Sequence, residues 1–173
     1  TTEIFNLFGN AKVFDFPKPS DFLFKIFQIG FNYDAKGIFL DFFSGSSSSA
    51  HALMKLNLVD GGERKFIQVQ LPEPTGEKSE AFKAGYTTIA EIGKERVRIA
   101  AQKIAKENPN KTKELDLGFK VFKLDSSNIK GWEGNPDNLE DNLFDAVSNI
   151  KNDRTEEDVL YEILLKYGLD LTL

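Results

Sequence analysis

An α/β domain is what this 173-residue chain predicts. Three observations carry the prediction. Apolar Ile38-Phe39-Leu40 runs into Asp41-Phe42-Phe43, then into a small-residue turn, Ser44 to Ser49, then into an amphipathic segment, Ala50 to Leu58. That is the order of a buried strand, a tight turn and a helix N-terminus. Two further strand-like runs follow, Lys65 to Leu71 and Gly118 to Leu124. Helical patterns separate and flank them, as in a layered α/β sheet.

Taken in order, Thr1 to Lys12 shows no clean start. Pro17 and Pro19 then forbid a helix through Val13–Asp21 and impose extended or turned backbone. Ser20 or Asp21 can cap the helix that follows, about Asp21 to Gly30. Its apolar residues Phe22, Leu23, Phe24, Ile26, Phe27 and Ile29 cover most of the circumference, which predicts extensive burial. After the central strand–turn–helix, Asp60-Gly61-Gly62 signals a turn. The second strand, Lys65–Leu71, closes at Pro72-Glu73-Pro74. Ser79-Glu80 is a helix start. Tyr86 to Lys106 is the longest helix, with Ile89, Ile92, Val97, Ala100, Ala101 and Ile104 on a common side, and Asn108-Pro109-Asn110 ends it. Gly118–Leu124 alternates with period two and reads as a third strand. Asn135 to Asp141 is a polar loop. A last helix spans about Glu156 to Tyr167, with Val159, Leu160, Ile163 and Leu164 on one face, and Gly168 stops it.

Composition narrows the function classes. There is no cysteine, so disulfides and Cys-based zinc sites are excluded. No apolar run is long enough for a transmembrane helix, and no secretory signal is visible. A cytoplasmic setting suits such a chain. The net charge of −5 is not that of a stand-alone nucleic-acid binder. Yet seven Lys or Arg lie between Lys94 and Lys113 against two Glu, and nine acids lie between Glu133 and Asp158. These runs are solvated faces, or, for the basic one, a face toward DNA phosphates in a larger assembly. Eleven of the 16 phenylalanines fall in the first 43 residues.

The chemistry concentrates at the first turn. Gly45 lets the backbone turn sharply and a ligand come close, and the serines can cap the free N–H groups of the next helix. A ligand on an α/β sheet sits over such a turn, outside the carboxyl end of the strand. The alternative is a plain serine-capped turn. His51, the single histidine, has no partner pattern for a metal site or a nucleophile–base pair. The serine run is neither a nucleophile elbow nor a phosphate loop.

Asp41-Phe42-Phe43-Ser44-Gly45-Ser46, followed by Ala50-His51-Ala52-Leu53-Met54, resembles the S-adenosylmethionine motif of adenine-specific DNA methyltransferases. The likeness is strongest to the modification subunit of type III restriction–modification systems. Phe16-Pro17-Lys18-Pro19, Val69–Pro74, Ala84–Arg96 and Asp125–Trp132 are similar to that family too, so the resemblance covers roughly residues 14–173.

This resemblance implies a three-layer Rossmann-like methyltransferase fold with a partial sheet, S-adenosylmethionine as cofactor, and DNA adenine as the methyl acceptor. Phe43, Ser44 and Gly45 would shape the methionine pocket, with Asp41 near the cofactor's amino group. Phe16, Lys18 and Pro19 would line the opposite wall. Gln70 or Glu73, at the end of the second strand, would hold the ribose; Asp125 could approach the adenine end or cap the next turn. Family members often carry a second glycine where this chain has Ser47, which is costly there if φ is positive and harmless if it is negative.

Adenine amino-methyltransferases also carry a tetrapeptide of an acid, Asn or Ser, two prolines and an aromatic, which holds the flipped base. None of the six prolines here is adjacent to another, so it is absent. The expectation is therefore the cofactor-binding portion of a type III modification subunit, inactive alone and cut from something longer. It would be one partial domain over 1–173, with a core at 13–131 and an acidic helical region at 132–173. Its partners would be DNA, the restriction subunit and a second copy of the modification subunit, with no metal and no membrane. Without the missing strands, an apolar sheet edge should stand exposed. An interaction module for dimerisation or restriction-subunit binding is the alternative. A nicotinamide-dinucleotide domain is disfavoured by the absence of Gly-x-Gly-x-x-Gly.

Overall fold

A computed structural model describes residues 2–9, 12–32, 34–131 and 149–171. The chain divides into two compact units, Thr1–Gly118 and Phe119–Leu173.

The first unit is built on a parallel strand pair. Strand β1 is Ile38–Asp41 and β2 is Lys65–Gln68. They pair in register from Ile38↔Lys65 to Asp41↔Gln68. Parallel neighbours need a long crossover, and helix α3, Ser48–Asp60, supplies it. Phe42 and Phe43 belong to the turn and not to the strand. Beyond the formal strand ends the pairing continues, because Val69 N–H donates to Asp41 O at 2.8 Å and Ser44 N–H to Val69 O at 3.2 Å.

Helix α3 is the hub. It packs on β2, on α2 (Ser20–Gly30) and on α5 (Ile89–Glu107). The sequence reads as amphipathic, but Ser48 through Met54, with Leu56 and Asn57, are all buried. Three neighbours surround α3, so even its small polar residues lose contact with water. Helix α2 departs in the other direction. Only Ser20 and Phe27 are buried, and Phe22, Ile26 and Ile29 are exposed. One stripe of α2 faces α3 and the sheet; nothing among the described residues covers the other.

Two apolar clusters form the core. Phe27, Ala52, Leu53 and Leu56 pack with Phe39 and Phe66 from the strands and Leu23, Phe24 and Phe31 from α2 and its end. Ile4, Val13, Ala81 and Ile92 pack with Phe8, Phe14, Tyr86 and Ile89. The second cluster needs a helix α1, Thr2–Leu7, in a stretch whose sequence shows no clean start. The short helix α4, Glu80–Lys83, is capped by Ser79, whose hydroxyl accepts from Phe82 N–H at 3.1 Å. Thr88 caps α5 in the same way through Glu91 N–H at 3.3 Å. At the carboxyl end of α3, Gly61 takes φ +70° and donates to Asn57 O at 2.8 Å. Buried Arg64 holds Asp60 at 2.8 Å and lies 5.2 Å from the Phe31 ring centre.

The other face of the sheet carries Ile38, Leu40 and Ile67, and all three are exposed. The buried strand expected at 38–43 is thus half-buried, and the layers run from sheet to α3 to α5 on one side only.

The second unit has no strand at 118–124. Val121 and Phe122 are about half exposed, Leu124 is 99% exposed, and no ladder forms. Alternation marks two faces, but a strand also needs a partner edge, and none lies there among the described residues. The unit is tied instead by helix α6, Glu156–Lys166, which opens on a capping box between Thr155 and Asp158. Glu162 accepts from Asn128 N–H at 2.6 Å and from Ser127 Oγ at 2.5 Å. Asp125 accepts from Ser126 N–H and pairs with Arg154 at 3.0 Å. The polar loop read at 135–141 lies outside the described residues. Among the described residues no helix is long and apolar enough to cross a membrane.

Leu53 is fully buried at the centre of the strand-facing cluster. Leu53→Ala should cost about 2–5 kcal/mol in urea unfolding; a loss under 1 kcal/mol would mean that α3 does not organise the core.

Candidate functional site

The turn between β1 and α3 holds two left-handed residues within three positions. Gly45 sits at φ +52° and Ser47 at φ +55°. Ser47 is the N-cap residue of α3, yet its side chain makes no capping bond. The costly alternative for Ser47 therefore holds: a left-handed non-glycine residue costs of order 1–2 kcal/mol. Its neighbours hold it there. Ser47 N–H donates to Ser44 O at 2.7 Å, and Ser47 is buried.

Each side of the turn is closely packed. A Cβ on Gly45 would stand 3.3 Å from Phe14 Cζ, and one on Gly93 of α5 would meet Ser47 Oγ at 2.8 Å and Gly45 O at 2.9 Å. Gly45 N–H donates to Gln70 Oε1 at 2.7 Å. Asp41 accepts from Ser49 Oγ at 2.6 Å and Phe43 N–H at 3.3 Å. Ser49 also meets the Gln68 amide.

The predicted site residues fall into two sets. Asp41, Ser44, Gly45 and Gln70 converge on the turn and are engaged in holding it. Ser44 is buried, and Gln70 has Oε1 on Gly45 and Nε2 on Leu71 O at 3.2 Å. Phe43, Phe16, Lys18, Pro19 and Glu73 are exposed. Phe16 is 90% and Phe43 78% exposed. Pro19 is the N-cap residue of α2, and neither Ser20 nor Asp21 caps that helix. Glu73 is fixed through its backbone, whose carbonyl accepts from Ile89 N–H at 2.9 Å. Its carboxylate has no partner among the described residues. Asp125 lies in the second unit in its pair with Arg154.

Behind the turn lies a polar cluster that periodicity did not reveal. Arg96, on α5, has no exposed surface. It donates to Ser48 Oγ at 2.6 Å, Ser46 Oγ at 3.1 Å and Glu3 Oε2 at 3.1 Å. Glu3, from α1, also accepts from the Ser20 amide at 2.9 Å and from the Ser20 hydroxyl. Lys55 reaches Ser20 Oγ at 2.6 Å and Asp21 at 2.9 Å. Thus Glu3, from another helix, occupies the start of α2, where a carboxylate complements the helix dipole. Arg96 belongs to the basic run at 94–113, whose other members include Lys94 paired with Glu91 and Arg98 with Glu95. The run is not a uniform cationic face.

His51 Nδ1 lies 3.6 Å from Glu3. Burial, and then the Arg96 charge, hold the imidazole pKa down to about 4, although Glu3 acts the other way. His51 is therefore neutral at pH 7 and the contact is no ion pair. Burial pushes Glu3 up, but its Ser20 bonds and the Arg96 and His51 charges outweigh this and bring it to about 2.

A parallel strand–turn–helix–strand unit, with a left-handed glycine turn over the strand's carboxyl end, makes this an α/β arrangement. No family model matches the chain. It is 46% identical over 122 residues to the Mod subunit of the type III restriction-modification enzyme StyLTI of Salmonella typhimurium, which covers 70% of the chain and 18% of the relative. It is 46% identical over 96 residues to the EcoP15I Mod subunit of Escherichia coli, covering 56% of the chain and 13% of the relative. Type II methyltransferase M.KpnI of Klebsiella pneumoniae is 40% identical over 92 residues, 53% of the chain and 21% of the relative. The chain is a relative of type III modification subunits and spans about a fifth of their length or less.

Two outcomes follow from this geometry. Alanine at a mid-helix glycine normally stabilises by about 1 kcal/mol, but Gly93→Ala should lower the melting temperature because its Cβ meets Gly45 O. A higher value would show that the turn is not packed against α5. Glu3 and His51 both titrate lower in the fold than free, so each stabilises at neutral pH and loses that contribution as pH falls. The window runs from 6.5 to about 4 for His51 and from 4.5 to about 2 for Glu3. Stability should drop between pH 6.5 and 4, and His51→Gln should flatten that slope in urea titrations.

Proposed function

We propose that this chain binds S-adenosylmethionine at the β1–α3 turn, as the cofactor-binding portion of an adenine-specific DNA methyltransferase subunit in a type III restriction–modification system. The observation that carries this is the left-handed turn at Gly45 and Ser47 over the end of β1, in a chain 46% identical over 122 residues to a Mod subunit. On this reading the partial sheet is part of a Rossmann-like methyltransferase fold, with its further strands outside this chain.

The residues fit the cofactor's chemistry. Gly45 gives the turn its left-handed form beside Phe14. Exposed Phe43 and Phe16 offer apolar surface to the methionine chain and the adenine. Glu73, with its unengaged carboxylate, can accept from both ribose hydroxyls, whereas the Gln70 amide is committed to the turn. Asp41 holds the turn through Ser49 and Phe43 and supplies negative charge near the cofactor's amino group. Lys18 and Pro19 complete the opposite wall. S-adenosylmethionine supplies the methyl group; the residues here bind and orient it. No tetrapeptide for the target adenine lies in this sequence, so the transfer needs residues outside it. The restriction subunit and a second modification subunit are the proposed protein partners, in the cytoplasm.

An interaction module is the second reading. It is favoured by α6, which buries none of its residues and exposes Leu160, Ile163 and Leu165.

Isothermal titration separates them. S-adenosylmethionine should bind saturably and NAD should not. Gly45→Val forces a branched side chain into a left-handed position beside Phe14, and should abolish cofactor binding without changing self-association. Equal binding by Gly45→Val would sink the first reading.

A further inference from the structure

The two walls of the proposed pocket are joined from behind by one ion pair, buried on its arginine side. The segment Phe16–Pro19 ends at Ser20, whose amide and hydroxyl both donate to Glu3. The turn wall continues into Ser46 and Ser48, whose hydroxyls both accept from Arg96. Glu3 and Arg96 meet at 3.1 Å, with Arg96 fully buried and the Glu3 side chain 24% exposed. We infer that Glu3 and Arg96 are positioning residues, a strut that sets the spacing of the Pro17–Pro19 segment from the Gly45–Ser47 turn and keeps that turn in its left-handed form. This rests on the cofactor reading for its functional meaning, and on the contacts alone for its structural one.

Three observations favour positioning over bulk stability. A buried ion pair seldom stabilises more than a well-packed apolar substitute, because both charges lose hydration. The partners come from distant stretches, with Glu3 and Arg96 93 residues apart and Arg96 and Ser46 50 apart. Arginine's planar fork can also reach separate acceptors from separate nitrogens. Here Nη1 donates to both serines and Nη2 donates to Glu3. A lysine would supply the charge and not the span. The turn needs such a hold, because Ser47 has no cap bond of its own and no glycine's freedom.

The test uses the whole chain with Arg96→Lys, with Ser46→Ala/Ser48→Ala, and with all three changes together. Amide hydrogen exchange is read at Gly45 and Ser47, with Leu53 and Leu56 of α3 reporting global stability. S-adenosylmethionine affinity is read by titration. Arg96→Lys and the double serine variant should each speed exchange at Gly45 and Ser47 at least tenfold, leave Leu53 and Leu56 within twofold, and weaken binding at least tenfold. The triple variant should be no worse than Arg96→Lys. Unchanged exchange at the turn, equal acceleration at Leu53 and Leu56, or additive losses in the triple variant would each overturn the strut. If Arg96→Lys fails to fold, the double serine variant decides alone. If the unaltered chain binds no S-adenosylmethionine, the cofactor reading falls, and the exchange data still decide the strut.

Discussion

Arg96 is the residue on which the backing of the β1–α3 turn depends. Its guanidinium lies among α1, α5 and the start of α3, and through Glu3 it reaches the start of α2. Burial lowers its pKa, with Glu3 opposing the shift, but a guanidinium remains charged at any physiological pH. A charge that cannot leave by titration must be satisfied by its neighbours. The helices are therefore obliged to bring Glu3, Ser46 and Ser48 to it. Apolar packing between these helices would tolerate small slides; this arrangement does not.

The strain in the turn is set against that fixed point. Two left-handed residues within three positions reverse the chain from strand to helix, and only one is a glycine. Gly93 lets α5 approach until its backbone lies against the turn. Gln70, from beyond β2, takes the amide of Gly45. The turn is thus held from the strand side by Asp41 and Gln70 and from the helix side by Arg96. Within the turn, Phe42 and Phe43 stand exposed.

The exposed apolar residues have a common origin. One face of the β1–β2 sheet and one side of α2 carry Ile38, Leu40, Ile67, Phe22 and Ile29 without cover among the described residues. A parallel sheet ordinarily has both faces covered. The phenylalanine excess in the first 43 residues therefore exceeds what this unit buries by itself.

The sequence by itself determined the local grammar. The strand–turn–helix at 38–60, the second strand, the long helix ending at Asn108 and the last helix stopped by Gly168 were all legible, because each is specified by apolar period, caps and turn residues close in the chain. Asp41, Ser44, Gly45 and Gln70 were grouped by family resemblance and not by local pattern, since Gln70 reaches Gly45 across 25 residues. Tertiary structure alone decided the rest. Gly118–Leu124 has a strand's alternation, but pairing depends on a partner edge that alternation does not encode. Helix α3 carries serines, a histidine and an asparagine, which read as a polar face until three neighbours bury it. Arg96 looks like one more cation in a basic run, and Glu3 lies where no element was expected. Their pairing across 93 residues leaves no local trace, because a buried charge is specified by the groups that surround it in space and not by those beside it in the chain.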